Sequence, residues 1–78
     1  MTLADAEIGR RLRIVELDVE LDARGWLDAV GLHAGEEIVV LRRAMLGGPL
    51  HVRTSAGGEF AVARELASHI VVNEGEAS

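Results

Sequence analysis

The apolar residues of this chain come in short runs, and glycines and acidic residues separate one run from the next. Five of the runs contain β-branched residues, which favour strands. They span residues 10–18, 36–43, 50–55, 59–63 and 70–72. No run approaches the ~20 residues that a membrane-spanning helix requires. The sequence therefore predicts several short β-strands.

Alternation within the strand pattern predicts which side chains share a face. In the first strand it places Leu12 and Ile14 on one face and Val15 and Leu17 on the other. The Gly57-Gly58 pair, between the third and fourth strands, predicts a hairpin turn of type I′ or II′.

One segment between the first two strands has a helical period instead. Four residues fall at i, i+3, i+4 and i+7 and so share one face of a short helix: Ala23, Trp26, Leu27 and Val30. Asp22 is the expected N-cap, and Gly31 is the expected left-handed residue that ends the helix. Residues 64–68 are expected to form one more helical turn before the last strand.

These elements predict one small, mainly β domain. A chain of 78 residues has material for a single hydrophobic core. Five short strands with a helix between strands 1 and 2 fit a closed barrel, which removes the exposed edges of an open sheet. We assign residues 1–73 to this domain and residues 74–78 to a flexible C-terminal tail.

The charge balance limits the possible partners and locations. The net charge is −5, and all eight basic residues are arginines, so a phosphate backbone would be repelled. We therefore predict no nucleic-acid binding. Residues 1–10 contain two acids and no apolar core followed by a cleavage site, so no secretion signal is predicted. We expect a cytoplasmic protein that does not insert into a membrane.

The composition also lacks most catalytic groups. The chain has no cysteine or lysine, and neither Ser55 nor Ser68 lies in a GxSxG elbow. Gly47-Gly48 does not belong to a phosphate-binding loop, because such a loop needs a lysine. We predict no catalytic site and no enzymatic activity.

The three histidines are the remaining candidate metal ligands. His33, His51 and His69 form no HxH, HxxH or HExxH spacing, so no preformed metal site and no bound cofactor is predicted. His51, with a carboxylate on a neighbouring strand, is the one candidate for weak binding of Fe²⁺ or Mn²⁺. The carboxylates at positions 18, 20 and 22 lack the rest of a calcium loop and are interpreted as a solvated acidic turn.

One aromatic side chain and one loop are the candidate partner-binding features. Trp26 is of a type that often anchors interfaces, although its place on the apolar stripe favours core packing. The loop Leu46, Gly47, Gly48 and Pro49 carries an apolar leucine beside a rigid proline. Turn geometry alone explains this loop equally well, so both interpretations stay open.

Nearly the whole chain resembles the FeoA family. The family's central pattern is a helix ending in Leu-Gly-Leu, then Pro-Gly, a valine-rich strand and Ala-Pro-Leu-Gly-Gly-Pro. The matching residues here are 30–32, 34–35, 38–41 and 44–49, with 3–5 and 9 before the first strand and 63–64 and 70–72 at the end. Ala34 and Met45 replace the family's two usual prolines, and Trp26 replaces a residue that is more often basic.

The resemblance implies an SH3-like barrel in the cytoplasm, acting beside FeoB, a membrane transporter that imports Fe²⁺ and carries a GTP-binding domain. The leading hypothesis is a non-enzymatic module that docks on the FeoB-like transporter and modulates uptake. The alternative is a metal-responsive sensor domain whose histidines and carboxylates bind a divalent metal. A third possibility, an SH3 relative that binds proline-rich peptides, is disfavoured because Trp26 and Phe60 are the only aromatics.

Overall fold

A computed structural model describes residues 1–74 of the chain. Five strands and two helices follow a 3-10 turn at Leu3–Asp5. In chain order they are β1 (Arg11–Leu17), α1 (Leu21–Ala29), β2 (Glu37–Arg43), β3 (Leu50–Thr54), β4 (Glu59–Val62), α2 (Arg64–Ala67) and β5 (Ile70–Glu74). All five predicted strands, the helix between the first two and the helical turn before the last are confirmed. The 3-10 turn was not predicted. Within residues 1–74, no helix is long and apolar enough to cross a membrane.

The five strands form one antiparallel sheet in the order β4-β3-β2-β1-β5, as expected for a small SH3-like domain. The predicted closure of the barrel is wrong in one respect, because β4 and β5 are not paired within the described residues. The N-terminal residues occupy the free edge of β5 instead. Thr2 forms a bridge with Val71, and the Val72 N–H donates to the Met1 carbonyl at 2.8 Å. The sheet therefore does not close into a barrel, and the edge of β4 stays unpaired within residues 1–74.

A bulge in β1 changes the facing of its side chains. Ile14 pairs with Val72 and Leu17 pairs with Ile70, so β1 has one extra residue between these two pairs. Leu12, Ile14 and Leu17 are consequently all buried, whereas Val15 is 47% exposed. The predicted position of Leu17 on the face opposite Ile14 is wrong, because simple alternation does not survive an inserted residue.

A second bulge in β2, between Val40 and Arg42, turns Arg43 toward the inside of the fold. The Arg43 guanidinium donates to the carbonyls of Ala4 and Ala6, both of which are buried residues. This arginine therefore fixes the N-terminal segment to the sheet.

Helix α1 contributes less to the core than its sequence pattern predicts. Leu27 is its only fully buried residue, and Trp26 is 58% exposed. The prediction that Trp26 packs in the core is wrong. The buried arc of the helix is centred on Leu27 between the half-buried Ala23 and Val30, and Trp26 lies on its flank.

The turns differ from the predictions in detail. Glu20 is the N-cap position of α1 and Asp22 lies in the first turn, so the predicted cap is displaced. Gly31 does end the helix with a φ of +93°. The hairpin between β3 and β4 forms as predicted, but Gly57 (φ +95°) stands at its end and donates to the Thr54 carbonyl. The hairpin is therefore a three-residue loop rather than a two-glycine turn.

Sixteen apolar residues of the described chain form a single core, drawn from all five strands, both helices and the N-terminal segment. The assignment of residues 1–73 to one domain stays a prediction. Of the predicted tail, Glu74 is the last residue of β5, and residues 75–78 lie outside the described residues.

Candidate functional site

The loop between β2 and β3 is a tight turn that ends in an apolar tip. The Gly48 N–H donates to the Met45 carbonyl at 3.2 Å, and the two central residues, Leu46 and Gly47, have φ values of +59° and +75°. Two positive φ values in succession are the signature of a type I′ turn. A Cβ on Gly48 would lie 2.7 Å from the Ala44 Cβ, so this position requires glycine.

Leu46 is unusual in both conformation and exposure. It is the only non-glycine residue with a positive φ in the described chain, and its relative exposure is 101%. A leucine held in the left-handed region costs about 1–2 kcal/mol, because its Cβ crowds the backbone carbonyl. The neighbouring Met45 is 85% exposed. The chain thus presents two large apolar side chains to solvent on a tightly defined turn.

Trp26 is the second predicted interaction residue, and it lies on the outer part of α1. The loop, by contrast, lies beside α2 and the N-terminal segment, where Gly47 and Arg64 border one shallow depression. No side-chain hydrogen bond or ion pair in residues 1–74 joins Trp26 to the loop. The structure therefore places the predicted residues on two separate features.

His51 lies on β3 and meets one carboxylate, as the sequence suggested. Its Nε2 atom is 3.1 Å from Oε1 of Glu59 on β4. The other Glu59 oxygen, Oε2, is 3.9 Å from Arg53 Nη1. Structural zinc sites use four protein ligands and catalytic ones use three. The residues around His51 supply two ligands, His51 and Glu59, and the guanidinium of Arg53 competes for the Glu59 carboxylate.

The other histidines do not add ligands to this pair. His33 Nε2 is 3.8 Å from Glu36 Oε1, and His69 is exposed between α2 and β5. Among the residues that the structure describes, no three His, Cys, Asp or Glu side chains are placed to hold a metal ion together. The local chemistry is that of surface ion pairs.

An open groove of about 520 Å³ between α1 and β1 was not predicted from the sequence. Val15, Leu17 and Leu21 supply its apolar lining. Its polar rim consists of Glu16, Arg24, Asp28 and His33. The sequence signal for this groove is weak, because the alternation that puts Val15 opposite Ile14 does not show how α1 lies against β1. Leu21 is the one indication in the sequence, because it is an isolated leucine within an acidic stretch.

The groove and Trp26 lie on different flanks of α1. At about 100° per residue, Trp26 is displaced by roughly 140° from Leu21 around the helix axis. The residues that line the groove do not include Trp26. The helix therefore presents two distinct apolar features on either side of its buried arc.

Solved structures of the same fold come from several bacteria. The FeoA protein of Chlorobium tepidum is 28% identical, with a TM-score of 0.88, over 100% of this chain and 73% of that one. The iron(II) transport protein A of Clostridium thermocellum is 27% identical, with a TM-score of 0.87, over 95% of this chain and 45% of that one.

A third structure is that of the FeoA of Stenotrophomonas maltophilia, a prokaryotic SH3 domain protein complexed with zinc. It is 27% identical, with a TM-score of 0.70, over 94% of this chain and 89% of that one. Among curated protein sequences, none matches this chain. The FeoA domain itself matches residues 1–74, and the chain therefore belongs to the FeoA domain family.

Proposed function

We propose that this chain is a non-enzymatic, cytoplasmic accessory protein of ferrous iron uptake that docks on a FeoB-type membrane transporter and modulates it. The FeoA family is linked to ferrous iron transport, as the names of its solved members state. The observation that carries the docking step is Leu46, which is fully exposed in a conformation that leucine adopts at a cost.

The position of Leu46 is difficult to explain by stability. Asparagine or glycine would fit the turn without strain. The leucine side chain is exposed, so no hydrophobic burial offsets the cost of its backbone conformation. Backbone strain of this kind accumulates at functional sites. Burying one leucine at an interface contributes about 1.5–3 kcal/mol, which exceeds the strain. The loop is therefore suited to inserting Leu46, with Met45 beside it, into a pocket of a partner.

Trp26 supports the same proposal from the helix. Tryptophan is among the residues that most often contribute strongly to binding, since a large rigid surface is buried at low entropic cost. Here it is 58% exposed and its removal would leave the core unchanged. Two separated apolar anchors would let the small domain define its orientation on a large partner.

The test measures binding of the purified chain to the FeoB-type transporter of the same genome, held in nanodiscs, by biolayer interferometry. We expect Leu46→Asn and Trp26→Ala each to weaken binding about tenfold, the size of a typical interface anchor. The matched control is Ile8→Ala, which also truncates an exposed apolar residue, 55% exposed, outside both features. It should bind within about twofold of the unmodified chain.

Two results would overturn the proposal. One is failure of the unmodified chain to bind the transporter in any nucleotide or metal condition. The other is equal binding by the control and by both anchor variants, which would place the interface elsewhere on the surface.

The alternative function, a metal-responsive sensor, is favoured by one observation, the contact between His51 and Glu59. Anaerobic calorimetry with Fe²⁺ separates the two functions. Micromolar, stoichiometric binding that is lost in His51→Ala and retained in His69→Ala would support the sensor. If the heat of Fe²⁺ binding is the same in His51→Ala as in the unmodified chain, the docking proposal is the better account.

A further inference from the structure

The groove between α1 and β1 exposes apolar surface that the fold itself does not use. Val15 is 47% exposed and Leu21 is 81% exposed, and both line the groove beside Leu17. Val15 lies on the face of β1 opposite the buried Leu12 and Ile14, so it stays outside the core. Leu21 is the first residue of α1 and lies away from the arc around Leu27 that packs on the sheet.

The segment that supplies most of this groove is acidic, although the lining itself combines Glu16 and Asp28 with Arg24 and His33. Residues 15–30 contain five acidic side chains and one arginine, a net charge of −4 out of −5 for the chain. The arginine, Arg24, donates to the Leu17 carbonyl at 2.9 Å, so its guanidinium is turned to the backbone. This segment, about a fifth of the chain, therefore carries most of the negative field.

The acidic side chains of this segment are also unpaired. Within residues 1–74, no arginine or histidine lies within 4.0 Å of the carboxylates of residues 16, 18, 20, 22 and 28. Elsewhere in residues 1–74 most carboxylates have such a partner, and Asp5 and Glu65 are the exceptions. Glu7 and Glu74 are both paired with Arg10, Glu37 with Arg13, and Glu59 with His51 and Arg53. Glu16 and Asp28, the two carboxylates that line the groove, are thus available to external cations.

We propose that this groove receives a short amphipathic, positively charged segment of the partner protein, with apolar side chains on Val15, Leu17 and Leu21 and Lys or Arg side chains against Glu16 and Asp28. The proposal rests on the proposed function, since it assigns the chemistry of the partner segment. Unpaired carboxylates raise the association rate with a cationic segment and make the affinity depend on salt.

Charge disfavours the competing occupants. A second copy of this chain also carries −5, and three of its arginines, at positions 10, 13 and 53, are engaged in ion pairs. Its exposed Arg11, Arg42 and Arg64 lie on three different elements, β1, β2 and α2. An anionic lipid surface or a nucleic acid would meet the same repulsive field. A cationic protein segment is the occupant that both the apolar lining and the rim favour.

The first measurement compares groove variants for binding to the transporter in nanodiscs at 50 and 300 mM NaCl. We expect Leu21→Asn to weaken binding about tenfold at both salt concentrations, because it removes an apolar contact. The double variant Glu16→Gln, Asp28→Asn should weaken binding about fivefold at low salt and flatten the salt dependence. Circular dichroism verifies that each variant is folded.

The control has the same change of charge outside the groove. In the double variant Asp5→Asn, Glu7→Gln two exposed acids are neutralised, and binding should stay within about twofold of the unmodified chain. If the groove variants bind normally while Leu46→Asn and Trp26→Ala do not, the chain docks as proposed but the assignment of the groove is overturned.

A second measurement is independent of the transporter. A fluorescent helical peptide of leucine and lysine should bind the full chain, and the same peptide with glutamate in place of lysine should not. Leu21→Asn should weaken binding of the lysine peptide at least fivefold. Equal binding of both peptides, or binding of the lysine peptide that ignores Leu21, overturns the inference even if the transporter fails to bind.

Discussion

Similar side chains have opposite surroundings in two parts of the molecule. One part is the sheet formed by β2, β3 and β4, and the other is the segment of residues 15–30. In the sheet, Ile38, Val40, Leu50 and Val52 are all fully buried, and the acids on the outer surface face arginine or histidine. In residues 15–30 the acids have no such partners, and several large apolar side chains remain in solvent. The sheet is organised for stability, and the segment carries the surface that we propose for contact.

The difference shows how a very small domain divides its apolar side chains between a core and an exposed surface. A chain of this size has few apolar side chains to divide between a core and an interface. The sheet satisfies the core with short alternating strands, so α1 needs only Leu27 to stay attached. The rest of the helix surface is then free to carry Trp26, Leu21 and the unpaired acids.

The strongest test of this division uses one substitution at two positions of the same helix. Leu27→Ala should lower the free energy of unfolding by about 2–5 kcal/mol, because Leu27 is fully buried and its removal leaves a cavity. Leu21→Ala should change it by less than about 0.5 kcal/mol, because Leu21 is 81% exposed. Urea denaturation measures both. Similar losses for the two variants would mean that the helix packs as a whole.

The second test compares two arginines that each bond to backbone carbonyls. Arg43→Met removes the bonds to Ala4 and Ala6 and should lower the unfolding free energy by about 1–3 kcal/mol, because buried carbonyls lose their partners. Arg24→Met removes a single bond, to the Leu17 carbonyl, near the solvent-exposed groove. We expect a loss below about 1 kcal/mol there. A larger loss at Arg24 would contradict the division between sheet and helix.

Much of the fold could be predicted from the sequence because the period of the apolar residues is a local property. The alternation of Leu50, Val52 and Thr54 and the helical stripe around Leu27 each specify an element without reference to the rest of the chain. The ends of these elements were accurate to about one or two residues, the usual spread. The family pattern around Gly47 and Gly48 added the arrangement of the elements.

The two bulges could not be predicted, and they decide much of the surface. Whether Val15 is an inserted residue depends on how β1 pairs with β5, some fifty-five residues further along the chain. The inward turn of Arg43 depends in the same way on the register with β3. Trp26 was misplaced because a nine-residue helix on a small sheet buries an arc narrower than its apolar stripe. The groove was missed because the way α1 lies against β1 depends on tertiary packing, which local patterns in the sequence do not encode.

The third test examines an exception within the sheet. Thr54 is 3% exposed, and its hydroxyl has no hydrogen-bond partner in the described chain. Thr54→Val replaces the hydroxyl by a methyl group of similar size and should raise the unfolding free energy by about 1 kcal/mol. Thr54→Ser is the control, because it keeps the hydroxyl, removes the methyl group and should lower stability. Loss of stability in Thr54→Val would indicate a hydrogen bond to an ordered water.

The last test concerns the loop that joins β2 to β3, where the sheet carries exposed apolar side chains like those of residues 15–30. Leu46→Asn creates Asn-Gly, the sequence that a type I′ turn prefers, and should raise the unfolding free energy by about 0.5–1 kcal/mol. For a domain of this size that corresponds to an increase in melting temperature of roughly 4 °C.

Met45→Asn is the matched control for this loop, because Met45 is also exposed but does not have a positive φ, so no gain is expected there. A stabilised Leu46→Asn variant that has also lost its affinity for the transporter would show that the chain gives up stability at this position for binding. Unchanged or lowered stability would mean that the turn tolerates leucine without strain. The exposure of Leu46 would then be a consequence of the turn, and Trp26 and the groove would be left as the apolar features available to a partner.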